Sequence, residues 1–590
     1  MNLSRALTTA AIATFGVLLG CSQPPAKREQ VGPRPPPKAQ PGAVTISIIG
    51  TNDLHGALER LPLFAGYIGN LRATRERDGG GVVLVDAGDM FQGTLESNIS
   101  EGADVIRAYN QIGYSAAALG NHEFDFGPVG PAVTVSSIEE DARGALKARA
   151  AEAKFPLLSA NILDKQSGAR IKWPNMPAST LVEVAGVKLG IIGATTESTP
   201  FTTMPANFLG LAMAPPAGAV ADEAKRLRAQ GAQVIIVTAH IGSKCANLDK
   251  PTDISSCDTS EELFTMISDL PKGAIDVIVA GHTHSTIAHR IADIAVIESY
   301  SSGRAFGRVD LRIAPDGHVT SVKIHKPQLL CQGDEGSALI PAAACKVFDY
   351  EGKPVAIDGA VKTIVDAAIA KAAVRRNEKL GVTLSAPITK SYGNESAEGN
   401  WFTDLMLLAH PGTHVAVTNG GGLRADIPAG PLTYGALFEA MPFDNRFAIV
   451  DVKGAHLRKL VSSNLQRGGA ILSWGGLVAR ARCKDGKLDL QITVGGKPLV
   501  ETQSYKLVTS DFLASGGDGL IGRLKLPEGS IKVTDVIIRD AMADVLRKQK
   551  GTIHPATFYL PARRRMDYEG ERPVSCGTKS TTPSNREPDE

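Results

Sequence analysis

Three features are missing from this sequence. There is no excess of charge, since 63 Lys and Arg stand against 61 Asp and Glu, a formal net charge of +2. Such a balance gives no field to draw a nucleic acid polymer or an acidic membrane surface, so an anionic partner must be met by local charge. No Cys-x-x-Cys pair occurs among the seven cysteines, which removes the usual spacing of a thiolate metal site. The N-terminal apolar run, Ala6 to Leu19, is too short to cross a bilayer comfortably as a helix.

What is present begins with a processing segment. Arg5 precedes the apolar run, and Leu18-Leu19-Gly20-Cys21 resembles a bacterial lipoprotein cleavage box, in which Cys21 becomes the lipidated first residue. The expectation over 1–21 is a lipoprotein signal peptide. The chain would be exported and lipid-anchored to a bacterial membrane, facing periplasm or exterior; the alternative, an ordinary secretory leader cut nearby, also exports it. Residues 22–43, with seven prolines between Ser22 and Gly42, cannot build a core and read as an extended tether. Six cysteines remain, which allow fifteen pairings. Proximity favours Cys245–Cys257 and Cys331–Cys345, leaving Cys483 and Cys576 for each other.

A chain of 590 residues is too long for one core. From Val44 onward short apolar runs end repeatedly in polar loops. Val44 to Ile49 leads into Asp53 and His55, Gly81 to Val85 into Asp89, and Ser115 to Leu119 into Gly120-Asn121-His122-Glu123-Phe124-Asp125. Val234 to Thr238 leads into His240, and Ile275 to Ala280 into His282 and His284. Helix-compatible segments such as Ala217 to Gln230 lie between them, so this part is α/β. In open α/β sheets functional groups collect where loops leave the carboxyl ends of strands. Seven candidate ligands (Asp53, His55, Asp89, Asn121, His240, His282, His284) meet the needs of two divalent cations sharing one carboxylate. The other seven histidines read as ordinary loop or surface residues.

Asp-x-His, Gly-Asp-x-x-x-Gly, Gly-Asn-His-Glu, His-x-Gly and Gly-His-x-His, in this order, resemble the calcineurin-like metallophosphoesterases. The flanking words resemble their secreted 5'-nucleotidase branch, which includes UDP-sugar hydrolases and 2',3'-cyclic-nucleotide phosphodiesterases. The resemblance implies a four-layer α/β/β/α metallophosphoesterase sandwich over 44–330, a linker and bridging helix over 331–380 and a C-terminal α/β 5'-nucleotidase domain over 381–568. It implies that Asp53, His55, Asp89 and His284 hold one metal (Zn, Mn or a mixed pair), and that Asp89, Asn121, His240 and His282 hold the other. A metal-bound hydroxide would attack phosphorus. His122, oriented by Asp125, would serve the transition state and leaving oxygen, while Glu123 supports its loop.

Beyond Gly381 the words Gly399-Asn400, Asn419-Gly420-Gly421-Gly422-Leu423-Arg424, Pro442-Phe443 and Gly516-Gly517-Asp518-Gly519 continue the resemblance. They make Asn419, Gly421, Gly422, Arg424, Phe443 and Asp518 candidate substrate contacts. Glycines allow close backbone approach and Arg424 offers a planar donor fork. The family's second base-stacking aromatic is replaced by Leu520, its ribose-binding Asp is missing before Glu528, and no Arg precedes Gly399. The expected substrate is a small phosphoester, a 5'-nucleotide first; cyclic nucleotides, UDP-sugars or a sulfur-linked thiosulfohydrolase substrate are alternatives on the same site. A non-catalytic surface binding protein is the alternative of another class. The extra stretch 127–150, running into a helix expected over Ile138 to Ala153, reads as a surface insertion; the alternative is a segment that covers the metal site and restricts substrates. The Arg563-Arg564-Arg565 run reads as a solvated end, and residues 569–590 as a disordered tail unless Cys576 pins its start.

Overall fold

The computed structural model describes residues 42–135, 137, 139–334, 344–519 and 521–576; the leader with Cys21, the tether up to Pro41, Leu520 and the chain from Gly577 lie outside them. Strands buried on both faces are written as unbroken apolar runs, and the five predicted runs are of this kind. They divide between two sheets, as a four-layer sandwich requires. The first runs in the order Val319–Leu329, Ala305–Ile313, Val44–Thr51, Gly81–Asp86, Ala116–Ala118, Leu157–Leu158. The second runs Thr286–Ile291, Ile294–Ser299, Val277–Ala280, Val234–His240, Val187–Thr195, Ser179–Val184. Val44–Thr51 is parallel to Gly81–Asp86, and Val234–His240 is parallel to Val277–Ala280, so in each sheet these strands deliver their carboxyl ends together.

Alternation along the strands assigns the layers. Ile46 and Ile48 join Val85, Ile191, Ile236 and Val279 in a core between the sheets. Ile49 and Leu84 point the other way, against the helices Leu61–Arg77 and Ala103–Ile112. Ile192 and Val237 pack against Pro216–Ala229 and Glu262–Asp269 on the far side. Four layers follow from three apolar interfaces.

The helix Gly359–Arg376 belongs to both halves of the molecule. Asp358 caps it, accepting the Val361 N–H at 2.8 Å. Val361, Val365 and Ala368 pack into the N-terminal core and Ala372, one turn on, into the next core. Beyond it a five-stranded sheet (Leu472–Gly475, Val415–Asn419, Ser504–Ser510, Arg446–Lys453, Ile531–Ile537) carries the C-terminal half, with smaller sheets of four and three strands beside it.

Two expectations change. The helix of the insertion is shorter, Gly144–Glu152, because Asp141 folds its own turn ahead of it and accepts the Arg143 N–H at 3.0 Å. The C-terminal end is packed as far as it is described. Arg565 makes a two-pronged contact with Asp404 at 2.8 and 2.7 Å, Arg572 donates to the Gly393 and Asn464 carbonyls, and Val574 is buried. Residues 569–576 are therefore anchored, with Cys576 in its disulfide pinning the start of the tail, and Arg565, unlike exposed Arg563 and Arg564, is not a solvated end; local composition could not show that partners from residues 393 to 474 would hold it.

All three cysteine pairs are disulfides: Cys245–Cys257, Cys331–Cys345 and Cys483–Cys576. The first closes the loop that follows His240, and Cys245 N–H bonds to the Thr286 carbonyl beside His284. Replacing Cys245 and Cys257 together by serine is expected to lower unfolding free energy by about 2–3 kcal/mol, measured from urea midpoints under oxidising conditions. Among the described residues no helix is long and apolar enough to cross a membrane.

Candidate active site

The five strand ends bring all seven predicted donors to one place, and the backbone there is bent to do it. Asp53, His55, Asp89, His282 and His284 have φ between 49° and 81°. That left-handed conformation costs a residue with a side chain about 1–3 kcal/mol and persists only where the surroundings enforce it. Gly120 is required by closeness, since a Cβ there would lie 2.2 Å from Asp89 Oδ1.

Two donor groups result. Asp53, His55 and His284 form one and Asp89, His240 and His282 the other, with the ligating atoms in each group within 4.8 Å of one another. Asp89 Oδ2 lies 3.1 Å from His240 Nε2 and 3.9 Å from His55 Nε2, so it faces both groups. Asn121 Nδ2 donates to the Thr202 carbonyl at 3.1 Å, which turns its Oδ1 inward, 2.9 Å from His240 Nε2.

Carbonyls fix which ring nitrogen faces the centre. His55 Nδ1 donates to Gln92 O at 2.8 Å and His240 Nδ1 to Ala87 O at 2.9 Å. A carbonyl only accepts, so each ring keeps Nδ1–H outward and turns Nε2 inward, a lone pair whenever the ring is neutral. His55 Nε2 and His284 Nε2 stand 2.9 Å apart, and buried Asp53 Oδ1, 3.3 Å from His284 Nε2, makes no hydrogen bond among the described residues. Nitrogen lone pairs and a desolvated carboxylate converging at such distances fit a bound cation. A donor set of Asp, Asn and His suits Zn, Mn or Fe.

The charges agree. Burial opposes ionisation of Asp53, but the His284 and His240 imidazoles outweigh it and hold its carboxyl well below the usual range. Asp89 is held low in the same way by His240 and His122. His240 is pushed up to about 10, burial being overcome by Asp89, whereas burial and the neighbouring His240 push His282 down to about 3. The two aspartates thus demand positive charge among the imidazoles.

Glu123, expected to support its loop, and buried groups that sequence reading passed over hold this frame. Glu123 accepts the N–H groups of Gly120, Asp89 and Met90 at 2.6, 2.9 and 2.7 Å, and burial beside Asp89 raises its pKa to about 8. Asn52 donates to Asp53 Oδ2 at 2.8 Å and accepts the Ser299 N–H at 2.9 Å. Glu298 accepts the Thr283 hydroxyl at 2.6 Å between His282 and His284. Asn52 and Thr283 lie inside the motifs and were legible; Glu298, fourteen residues beyond His284, carried no local signal.

His122 belongs to neither donor group. Its Nδ1 is 2.5 Å from Asp125 Oδ2, and Asp125 Oδ1 accepts the Thr203 hydroxyl at 2.9 Å and the Met204 N–H at 3.1 Å. Burial works against a charged ring, yet Asp125 and Asp89 outweigh it and raise the His122 pKa. The insertion also reaches this point: Val133 lines the cavity, and Asn207 Nδ2 donates both to the Val133 carbonyl and to that of Phe124. It is therefore a surface insertion with one edge at the site.

A cavity of about 1030 Å³ lies over the cluster, lined from the C-terminal half by Asn419, Gly421, Gly422, Arg424, Phe443 and Asp518. Arg424 Nη2 stands 3.3 Å from His55 Nε2, and the Phe443 ring is 5.5 Å from the His122 ring between centroids. Asn419 Nδ2 donates to Asp518 Oδ2 at 2.9 Å, fixing that carboxylate, whose pKa burial raises. Glu528 is exposed and does not line the cavity. Tyr392 does, at 59% exposure, in the segment before Gly399 where an Arg was sought.

Residues 46–286 match the family model described as calcineurin-like phosphoesterase, and residues 369–524 match that of the 5'-nucleotidase C-terminal domain. The chain is 27% identical over 515 residues to protein UshA of Yersinia enterocolitica, covering 80% of this chain and 86% of that protein. It is 26% identical over 564 residues to a 5'-nucleotidase of Vibrio cholerae, covering 88% and 91%. Among solved structures, a 5'-nucleotidase precursor from Thermus thermophilus superposes with TM-score 0.68 at 24% identity, over 89% of this chain and 100% of that one. Sulfate thiohydrolase SoxB of Thermus thermophilus superposes with TM-score 0.65 at 16% identity, over 90% and 97%. These superpositions speak for the fold.

Proposed function

Since the chain belongs to the calcineurin-like phosphoesterases that carry a 5'-nucleotidase C-terminal domain, and is on that ground a metal-dependent phosphoester hydrolase, we propose that it removes phosphate from 5'-nucleotides. The observation that carries the reading is the meeting of two halves. A pair of donor groups sharing Asp89 lies beneath a cavity whose opposite wall presents Arg424 and Phe443. A phosphate sits with the first and a planar group against the second.

Asp53, His55, Asp89 and His284 would hold one divalent cation, and Asp89, Asn121, His240 and His282 the other. Bound there, the pair supplies Lewis-acid charge for the phosphoryl oxygens and for activation of water. The residues of the chain do the rest. Arg424 offers a donor fork at the edge of the cluster, suited to a phosphate anion. His122, with Nδ1 committed to Asp125, presents Nε2 and donates its proton to the departing oxygen. Asp125 is itself fixed by Thr203 and Met204, so the imidazolium is held in one orientation.

The test is a substrate panel of AMP, UDP-glucose, 2',3'-cyclic AMP and p-nitrophenyl phosphate, with metal analysis on the same sample. The expected result is about two divalent ions per chain, phosphate release greatest from AMP, and loss of all activity on chelation with recovery on Mn or Zn. A protein that binds no divalent ion would falsify the reading. Preference for UDP-glucose or the cyclic nucleotide would move the substrate and keep the site. Three disulfides support an exported protein. Attachment through Cys21 rests on the sequence, and Cys21→Ser is expected to release the protein from the membrane fraction.

A further inference from the structure

The loop that carries Phe443 is held by its carbonyls. From within its own half, Arg539, 3% exposed, donates through Nη1 to the Met441 and Phe443 carbonyls at 3.1 and 3.0 Å and pairs with the Asp444 carboxylate. The carbonyl between them, that of Pro442, points across the cleft. There it accepts from two side chains of the N-terminal half, Gln92 Nε2 at 3.0 Å and Asn98 Nδ2 at 3.1 Å. A carbonyl has two lone pairs, and both are used.

Gln92 is the informative member. It is 2% exposed, and its amide orientation is fixed because only the nitrogen end can donate to a carbonyl. Its Oε1 is buried with no hydrogen-bond partner among the described residues. A buried amide that leaves its oxygen unpaired is kept for what its nitrogen does. The backbone carbonyl of the same residue accepts His55 Nδ1–H at 2.8 Å. One residue therefore orients a candidate metal donor with its main chain and the opposite wall of the cavity with its side chain. Asn98 is braced for the same task, its Oδ1 accepting the Gly93 N–H at 3.0 Å.

We propose that Gln92 and Asn98 are positioning residues that latch the Pro442–Phe443 loop across the cleft, setting the substrate-facing wall in register with the cluster. The proposal rests on the function argued above only in its prediction for catalysis. Large leaving groups that need the C-terminal wall depend on the latch, and an activated aryl phosphate depends on it least. Gln92→Met keeps length and apolar volume but cannot donate. Asn98→Asp keeps the acceptor for Gly93 and opposes a carboxylate to the Pro442 carbonyl.

In each variant kcat/KM for AMP is expected to fall by about tenfold more than for p-nitrophenyl phosphate, with metal content retained. Independently of turnover, amide hydrogen exchange over residues 438–446 of the metal-free protein is expected to quicken, because one of the two anchors is gone. Equal losses on both substrates, which would mean an effect passed through His55, overturn the proposal, and so does unchanged exchange in both variants. Wild-type protein that hydrolyses neither substrate counts against the assigned function instead, and exchange then still decides the latch.

Discussion

Asp89→Ala is expected to abolish hydrolysis, lowering kcat/KM by about 1000-fold or more, and to remove most of the bound metal at equilibrium dialysis. The magnitude follows from position. Asp89 Oδ2 faces His240 on one side and His55 on the other, so a single carboxylate oxygen looks toward both donor groups. Its Oδ1 accepts the His122 N–H at 2.8 Å, which ties the proton donor to the same carboxylate. Asp89→Asn separates the two tasks, since the amide oxygen can still accept from His122 while the negative charge is lost. If charge is what counts, the amide variant should be nearly as inactive as the alanine variant. Substantial activity in Asp89→Ala would refute the shared site.

His122→Ala is expected to lower kcat by about 100-fold or more with both metals retained, which distinguishes proton delivery from ligation. The imidazole stands outside both donor groups and is held by Asp125 on its Nδ1 side. The pH profile gives a second readout. The carboxylates raise the His122 pKa against the effect of burial. A donor must be protonated, so activity is present below that pKa and is lost as pH rises through it. Asp125→Asn removes the first of the raising influences. Its alkaline limb should therefore move to lower pH, with kcat reduced less than in His122→Ala. An unmoved alkaline limb would mean that some other group limits the reaction.

Much of this site was legible because its chemistry is written in short words at strand ends. Asp53 and His55, or His282 and His284, are spaced two apart, and each pair sits on a turn that only a strongly constrained loop can hold. Glu298 was not legible, because an acid within an apolar strand shows no sign of the Thr283 hydroxyl it meets. Arg565 read as part of a solvated basic run because its partner Asp404 is remote in sequence. Gln92 lay in full view inside a recognised motif, yet nothing local shows that its amide crosses to Pro442.

The sequence by itself determined the donor types, their order along the chain, the α/β character and the cysteine pairing by proximity. These depend on residue chemistry and on short spacings, which local pattern carries; Cys483–Cys576, 93 residues apart, followed only because the other four cysteines paired nearby. Only the tertiary structure decided which of the five strands go to which sheet, that Asp89 Oδ2 looks toward both donor groups, and that Arg424 reaches His55 and Phe443 meets His122 from more than 300 residues away. Such meetings are fixed by three apolar interfaces packing at once, and no single segment contains the information about where its partners will stand.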